Sequence, residues 1–405
     1  MHRLAQDKLI AVLFLFSLIV RLFALAALPA PPLDDAGRAY LKGADVLRNG
    51  EGFRGHYVLL APMNTMFVAL CLSLFGGDQI SVKIAQAVVD SLTVVMIYLI
   101  TRETFDIQTA VVAATISSIY PFFIYLTISI ATEPLFTFFL SAFVLSSLYA
   151  VRSDKAFFYM VSGVLLGAAT LTRATTQFFP LVFLILLLVM KRRRTILLRY
   201  AAFCLSFVLV VLPWTVRNYV ALDDFIPVAT GGGIVVLLGS SENFLTIDGK
   251  PEVYREYPAP QGLKPSQQDR YFMKAGLDRL KMRLQTDPVG FMAFMAKKFL
   301  RLWYATDSGH NHHVTLLVQV PICIFALMGL LLIRGKGQPL IWIPACVVIY
   351  FVALHWFTLP LFRYMIPVMP YVIGFAAFAI VSLKNKWIPR AQGRRPDGVA
   401  DALAR

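Results

Sequence analysis

Apolar residues in this chain come in blocks of 17 to 20, and this feature constrains the fold more than any other. A helix rises about 1.5 Å per residue, so such blocks match a hydrocarbon core roughly 30 Å thick. Ten runs are long enough: 9–28, 84–101, 108–124, 135–151, 156–172, 174–190, 196–215, 314–333, 340–359 and 364–383. Composition agrees, because only 15% of the 405 residues are charged while 58% are hydrophobic. A water-facing surface needs about a quarter charged residues, which excludes a soluble enzyme or a nucleic-acid binder. The net charge of +15 then reflects topology and anionic headgroups, with membrane lipids as partners and no nucleic acid. The expected fold is an all-α polytopic membrane protein of about ten transmembrane helices.

The segment 61–77, "APMNTMFVALCLSLFGG", is the ambiguous one. If it does not cross, 18 basic residues lie inside against seven in short outer segments. If it crosses, sixteen of the 18 move outside, including "KRRR" at 191–194. The positive-inside rule therefore favours ten spans, both termini cytoplasmic, and 61–77 on or dipping into the outer face. The expected organisation is one membrane domain over 1–383, with long outer loops at about 29–83 and 217–312. A basic, disordered cytoplasmic tail follows over 384–405. The first run is long and contains Arg21, which favours an uncleaved helix over a signal peptide. Cys71, Cys204, Cys323 and Cys346 lie in apolar runs without metal or redox spacing, and read as packing residues.

In the second long loop, 271–285 has helical spacing. Asp287–Pro288 signals the start of a further helix, "VGFMAFMAKKFLRLWY". Its apolar side and its Lys297, Lys298 and Arg301 predict an interfacial helix.

Polar residues concentrate at the outer ends of spans. Asp34 and Asp35 follow the first span, Glu133 lies in "ISIATEPLF", Arg173 ends the fifth span, Arg217 follows the seventh and Arg363 begins the tenth. Carboxylates can accept a proton from a hydroxyl nucleophile, and arginine's planar fork suits phosphate. Each has a plainer role open to it: Asp34 or Asp35 as a helix cap, Glu133 as N-cap chemistry, the arginines as interfacial anchors. Lys83, Gln86 and Asp90 share one face of the second span, and Asp90 is either a functional intramembrane acid or a helix–helix contact. His310, His312 and His313 match no standard metal spacing, and "TGGG" at 230–233 is a weak phosphate or sugar cradle.

The ordered set "YLKGADVLRNGEGF", "APMNTMFVALCLSLFG", "IYPFFIYLTISIATEPLFTFFL", "GVLLGAATLTRAT", "LPWTVRNYVALDDFIPVATGGG" and "FRYMIPVMP" resembles the C-type membrane glycosyltransferases. The similarity is to the branch related to dolichyl-phosphate-mannose protein mannosyltransferases and lipid A aminoarabinose transferases. It implies a glycosyltransferase family 39-like enzyme of the plasma (bacterial inner) membrane, working on the outer face. The implied donor is a polyprenyl-phosphate-linked sugar and the acceptor a glycan, lipid or protein hydroxyl, with inversion expected. The resemblance makes a first-loop aspartate the base and Glu133 its support. Tyr40 lies closer to the family spacing from Asp35 than from Asp34, so Asp35 is the first choice and Asp34 the second. Arg217, Arg363, Arg173 and Lys83 are assigned to the donor phosphate. No cofactor is assigned, and a divalent metal is left open. The rival readings are a multi-span transporter or flippase, and a polysaccharide polymerase or ligase.

Overall fold

The computed structural model describes residues 2–29, 31–53, 58–190, 195–242, 253–258, 261–306, 312–333 and 339–387. The "KRRR" run, His310 and the tail beyond 387 lie outside the described residues.

Among the described residues the regular elements are all helical. The first are α1 (His2–Ala27), α2 (Asp35–Arg48), α3 (Pro62–Leu74), α4 (Gln79–Thr104), α5 (Ile107–Ser118) and α6 (Pro121–Ile128). Next come α7 (Glu133–Ser153), α8 (Ala156–Thr172), α9 (Phe179–Met190), α10 (Thr195–Leu222), α11 (Gly232–Gly239) and α12 (Val253–Glu256). The last are α13 (Pro265–Thr286), α14 (Pro288–Arg301), α15 (His312–Ile333), α16 (Trp342–Phe357) and α17 (Met369–Trp387). Local chemistry sets many of the starts. Asp34, Asp78, Asp106 and Asp287 each cap a helix through the carboxylate, and Pro62, Pro121, Pro265 and Pro288 open theirs.

Among the described residues, seven helices have the length and apolarity to cross a membrane, and the bent pair α5–α6 makes an eighth. α8 and the segment Ala174–Met190 are apolar but shorter, so the ten-span arrangement depends on those two. α3 has 13 residues, about 20 Å of helix, too short to cross. The break between α5 and α6 bends the chain by 46°. Pro121 brings no amide hydrogen to the junction, and the Ser118 carbonyl, at the end of α5, accepts from Arg21 Nη1 at 3.1 Å.

The core is a run of interlocked aromatic rings, with Phe143 in edge contact with Phe179 and Phe183. α10 lies directly against α8 because Gly163 and Gly167, one turn apart, leave room for it. A Cβ at Gly163 would sit 2.2 Å from the Phe203 carbonyl. α17 is buried along most of its length, against α15 and α5.

α14 has the outward apolar side expected of it, but Lys298 departs from the expected row of exposed cations. Val289, Met292, Phe299 and Leu300 face outward, and Phe299 meets Trp356 edge-on at 5.6 Å, continuing the apolar exterior of α16. Lys298 instead turns inward and is fully buried, its Nζ donating to Gly239 O at 2.8 Å and Phe357 O at 2.9 Å. The ammonium thus serves carbonyls at the C-terminal ends of α11 and α16, where the helix dipole favours a cation. Burial pushes the Lys298 ammonium down to about 7.

Candidate active site

The first-loop aspartates separate by one residue and point in different directions. Asp34 caps α2, its Oδ1 accepting from the Gly37 amide at 2.6 Å. Its other oxygen, Oδ2, faces inward and accepts from Arg363 Nη1 at 2.6 Å. Gly37 permits this placement, since a Cβ there would already lie 3.1 Å from the Ile130 carbonyl of the second outer loop. Asp35 is the first residue of α2 and points outward; its side chain is 100% exposed and pairs only locally with Arg38, at 2.6 Å.

Glu133 opens α7, with Pro134 behind it, and its side chain is 1% exposed. Two arginines from distant segments converge on it. Arg173, which ends α8, donates to Oε1 at 3.0 Å. Arg363 lies in the 3-10 turn Phe362–Val368 and donates from Nε to Oε1 at 2.5 Å and from Nη2 to Oε2 at 3.1 Å. One guanidinium therefore bridges both acids, across 329 residues to Asp34 and 230 to Glu133. The four groups have no net formal charge.

Aromatic rings fix the arginines from the other side. The Arg173 guanidinium lies 5.1 Å from the Tyr364 ring and 5.7 Å from that of Phe136. His355, near the end of α16, stacks on Tyr364 at 4.8 Å. The Tyr40 phenol is buried within electrostatic reach of Arg173, Glu133, Arg363 and Asp34; burial raises its pKa most, so it stays protonated.

Asp34 and Arg363 stand at the edge of a cavity of about 930 Å³. Its walls are Val20, Phe23 and Ala24 of α1, the α6 side from Phe122 to Ile130, and Val314 of α15, almost all apolar. A narrow polar group set thus meets a long apolar space, a form suited to an amphipathic ligand.

Other sequence candidates fall elsewhere. Arg217 stacks near Trp214, 4.9 Å from the ring, and 5.8 Å from that of Phe53, in a cluster separate from the two acids. Lys83 is buried on α4 and forms no ion pair among the described residues. Asp90 is a helix–helix contact, held by Arg21 Nε at 2.5 Å. The glycine cradle is filled from within the chain, since Asp269 Oδ1 accepts from the amides of Gly231 and Gly233 at 2.9 and 2.8 Å. Among the described residues no three His, Cys, Asp or Glu side chains gather as a metal site. At Asp34 and Glu133 both carboxylates hold a guanidinium.

Sequence reading missed Tyr364 and the work of Gly37. Tyr364 adjoins Arg363, yet nothing in "FRYMIP" shows that its ring will carry a second arginine from α8. Gly37 lies three residues after Asp34, and a glycine at the first turn of a helix was the available signal.

Residues 60–216 match the family described as dolichyl-phosphate-mannose-protein mannosyltransferase. No curated protein matches the chain in sequence. Among solved structures, the archaeal oligosaccharyltransferase AglB from Archaeoglobus fulgidus, in complex with an inhibitory peptide and a dolichol-phosphate, aligns with a TM-score of 0.60. The identity is 15%, covering 94% of this chain and 51% of that one. ArnT from Cupriavidus metallidurans in the apo state aligns with a TM-score of 0.56 at 15% identity, over 95% of this chain and 62% of that one. The chain therefore spans about half the length of the AglB it matches. It has the fold of the C-type membrane glycosyltransferases, and the resemblance read from the sequence holds at that level.

Proposed function

We propose that this protein is an integral-membrane glycosyltransferase that moves a sugar from a polyprenyl-phosphate donor to an acceptor hydroxyl at the outer membrane face. The observation that carries the reading is the Asp34–Arg363–Glu133–Arg173 cluster at the edge of an apolar cavity. The cavity suits an isoprenoid chain, and the guanidinium groups suit the phosphate that ends it. AglB, whose fold this chain shares, is described with a dolichol-phosphate bound, which supports a lipid phosphate as the ligand class.

Asp34 is the base in this reading, in preference to Asp35, because Asp34 faces the arginines while Asp35 faces away. An incoming phosphate competes with Asp34 for Arg363 and frees the carboxylate to meet the acceptor. Asp34 Oδ2 then takes the acceptor's hydroxyl proton as that oxygen bonds to the anomeric carbon. The bond from that carbon to the phosphate oxygen breaks, and polyprenyl phosphate leaves with the electron pair. Arg363 and Arg173 offset its charge, and Glu133 holds both arginines in place. Direct displacement gives inversion.

The test is to incubate the purified protein in lipid with a panel of radiolabelled polyprenyl-phosphate sugars and an envelope extract as acceptor. Release of polyprenyl phosphate with label passing to a product, abolished by Asp34→Asn, is the expected result. Transfer at the wild-type rate by Asp34→Asn would overturn the assignment of the base. Activity with soluble nucleotide sugars alone would overturn the donor.

A further inference from the structure

We propose that Gln86, one turn from Asp90 on α4, is a positioning residue for the active site. Its amide fixes the turn from Leu126 to Ala131, and that turn sets both Glu133 and the seat of Asp34. The functional half of this inference rests on the donor reading above; the structural half does not.

The turn has an unusual need. α6 ends at Ile128 and α7 begins at Glu133, so the carbonyls between them lose their helical partners. Pro134, with no amide hydrogen, supplies none to the Ile130 carbonyl. Leu126, Thr127, Ile128, Ile130 and Ala131 are all buried, so each orphaned group there is costly. Gln86 meets the need with one side chain that is 1% exposed. Its Nε2 donates toward Ser129 O at 2.5 Å, Thr127 O at 3.2 Å and Leu126 O at 3.4 Å, and its Oε1 accepts from the Ala131 amide at 3.3 Å. Only a side chain that both donates and accepts can do this, which asparagine and glutamine alone offer as neutral amides.

The turn touches both acids. Glu133 follows Ala131 by two residues along the chain. Asp34 is reached through space, since Gly37, whose amide binds Asp34, packs on the Ile130 carbonyl. Ser129 and Ile130 also wall the cavity. A change at Gln86 therefore reaches the arginine cluster without Gln86 itself touching a charged group.

The experiment uses the full chain in lipid nanodiscs with Gln86→Met, which keeps length and removes the amide, and Gln86→Asn, which keeps the chemistry but is one carbon shorter. Hydrogen exchange of the 126–133 segment and affinity for undecaprenyl phosphate are measured for each, and for Glu133→Gln alone and combined with Gln86→Met. Exchange in the segment should speed up in Gln86→Met, with a smaller change in Gln86→Asn. Undecaprenyl phosphate affinity should fall by about tenfold, the scale of one misplaced charge-assisted contact. The double variant should bind no more weakly than Glu133→Gln alone, because both act on one unit. Unchanged exchange in both variants overturns the brace. Faster exchange with unchanged affinity, or losses that multiply in the double variant, overturns the positioning role. Faster exchange in a protein whose wild type binds no undecaprenyl phosphate upholds the brace and rejects the donor reading instead. Should Gln86→Met fail to assemble, Gln86→Asn carries the same readouts.

Discussion

Two arginine–carboxylate sites in this molecule share nearly the same chemistry and differ in access. Arg21 and Asp90 are closed off between α1 and α4, with side chains 0% and 3% exposed, and Ser17 and Thr127 add hydrogen bonds to them. Arg363 bridges Asp34 and Glu133 at a cavity edge, and the Asp34 side chain is 44% exposed. The first pair has no room for a new partner, so its value is in joining helices. The second is open enough to take part in the proposed exchange of a carboxylate for an arriving anion, which a buried pair resists through its desolvation cost. An intramembrane acid is thus a poor guide to function until its partner is known.

The largest effect should come from Asp34→Asn. Asparagine keeps an oxygen for the Gly37 amide but takes up no proton, so turnover should fall by about 10²–10⁴ with the protein still folded. Asp35→Asn, measured beside it, should leave turnover near wild type; the reverse pattern would break the distinction between the two aspartates. At the closed pair, Asp90→Ala should lower stability by about 3–5 kcal/mol, because it strands a buried guanidinium. Thermal unfolding in detergent reads this, and Arg21→Met with Asp90→Leu should recover most of it. Failure of the double variant to recover would mean that the pair does more than join helices.

Arg363→Ala should weaken donor use by about 1.5–3 kcal/mol, read as donor KM and as loss of undecaprenyl phosphate binding. Arg217→Ala should have a smaller effect, since its guanidinium rests on Trp214 and Phe53. Equal losses would return Arg217 to the donor site. The last prediction concerns another buried cation. Lys298 has its pKa lowered to about 7 in the folded protein by burial, from an ordinary 10.5. Between those values the unfolded chain holds more protons, so stability should rise as pH increases from about 7. Lys298→Met should flatten that rise in pH-dependent melting.

Much of the architecture was legible from residue order, for local reasons. Run length marked the helices, and Asp287–Pro288 marked the start of α14 because a cap needs only its own first turn. The converging acids and arginines were legible as a set, since span ends at one membrane level must share a plane. Which members meet was not legible. Asp34 and Asp35 are adjacent and chemically identical, and the choice between them follows from the helical phase of α2 and from the turn against which Gly37 packs. Lys298 likewise read as one of the cations of an interfacial helix, because helical periodicity does not reveal two carbonyl ends waiting on the buried side. Gln86 read as one polar residue on a face, since its partners belong to a break in another helix.

The sequence by itself determined a helical membrane protein with polar chemistry gathered at the ends of its spans, because hydrophobic length acts locally along the chain. Only the tertiary structure decided that Arg363 joins Asp34 to Glu133 and that Arg21 closes on Asp90. Those pairings need side chains from segments hundreds of residues or several helices apart to arrive within about 3 Å, and that precision comes from helix packing and from where each helix breaks.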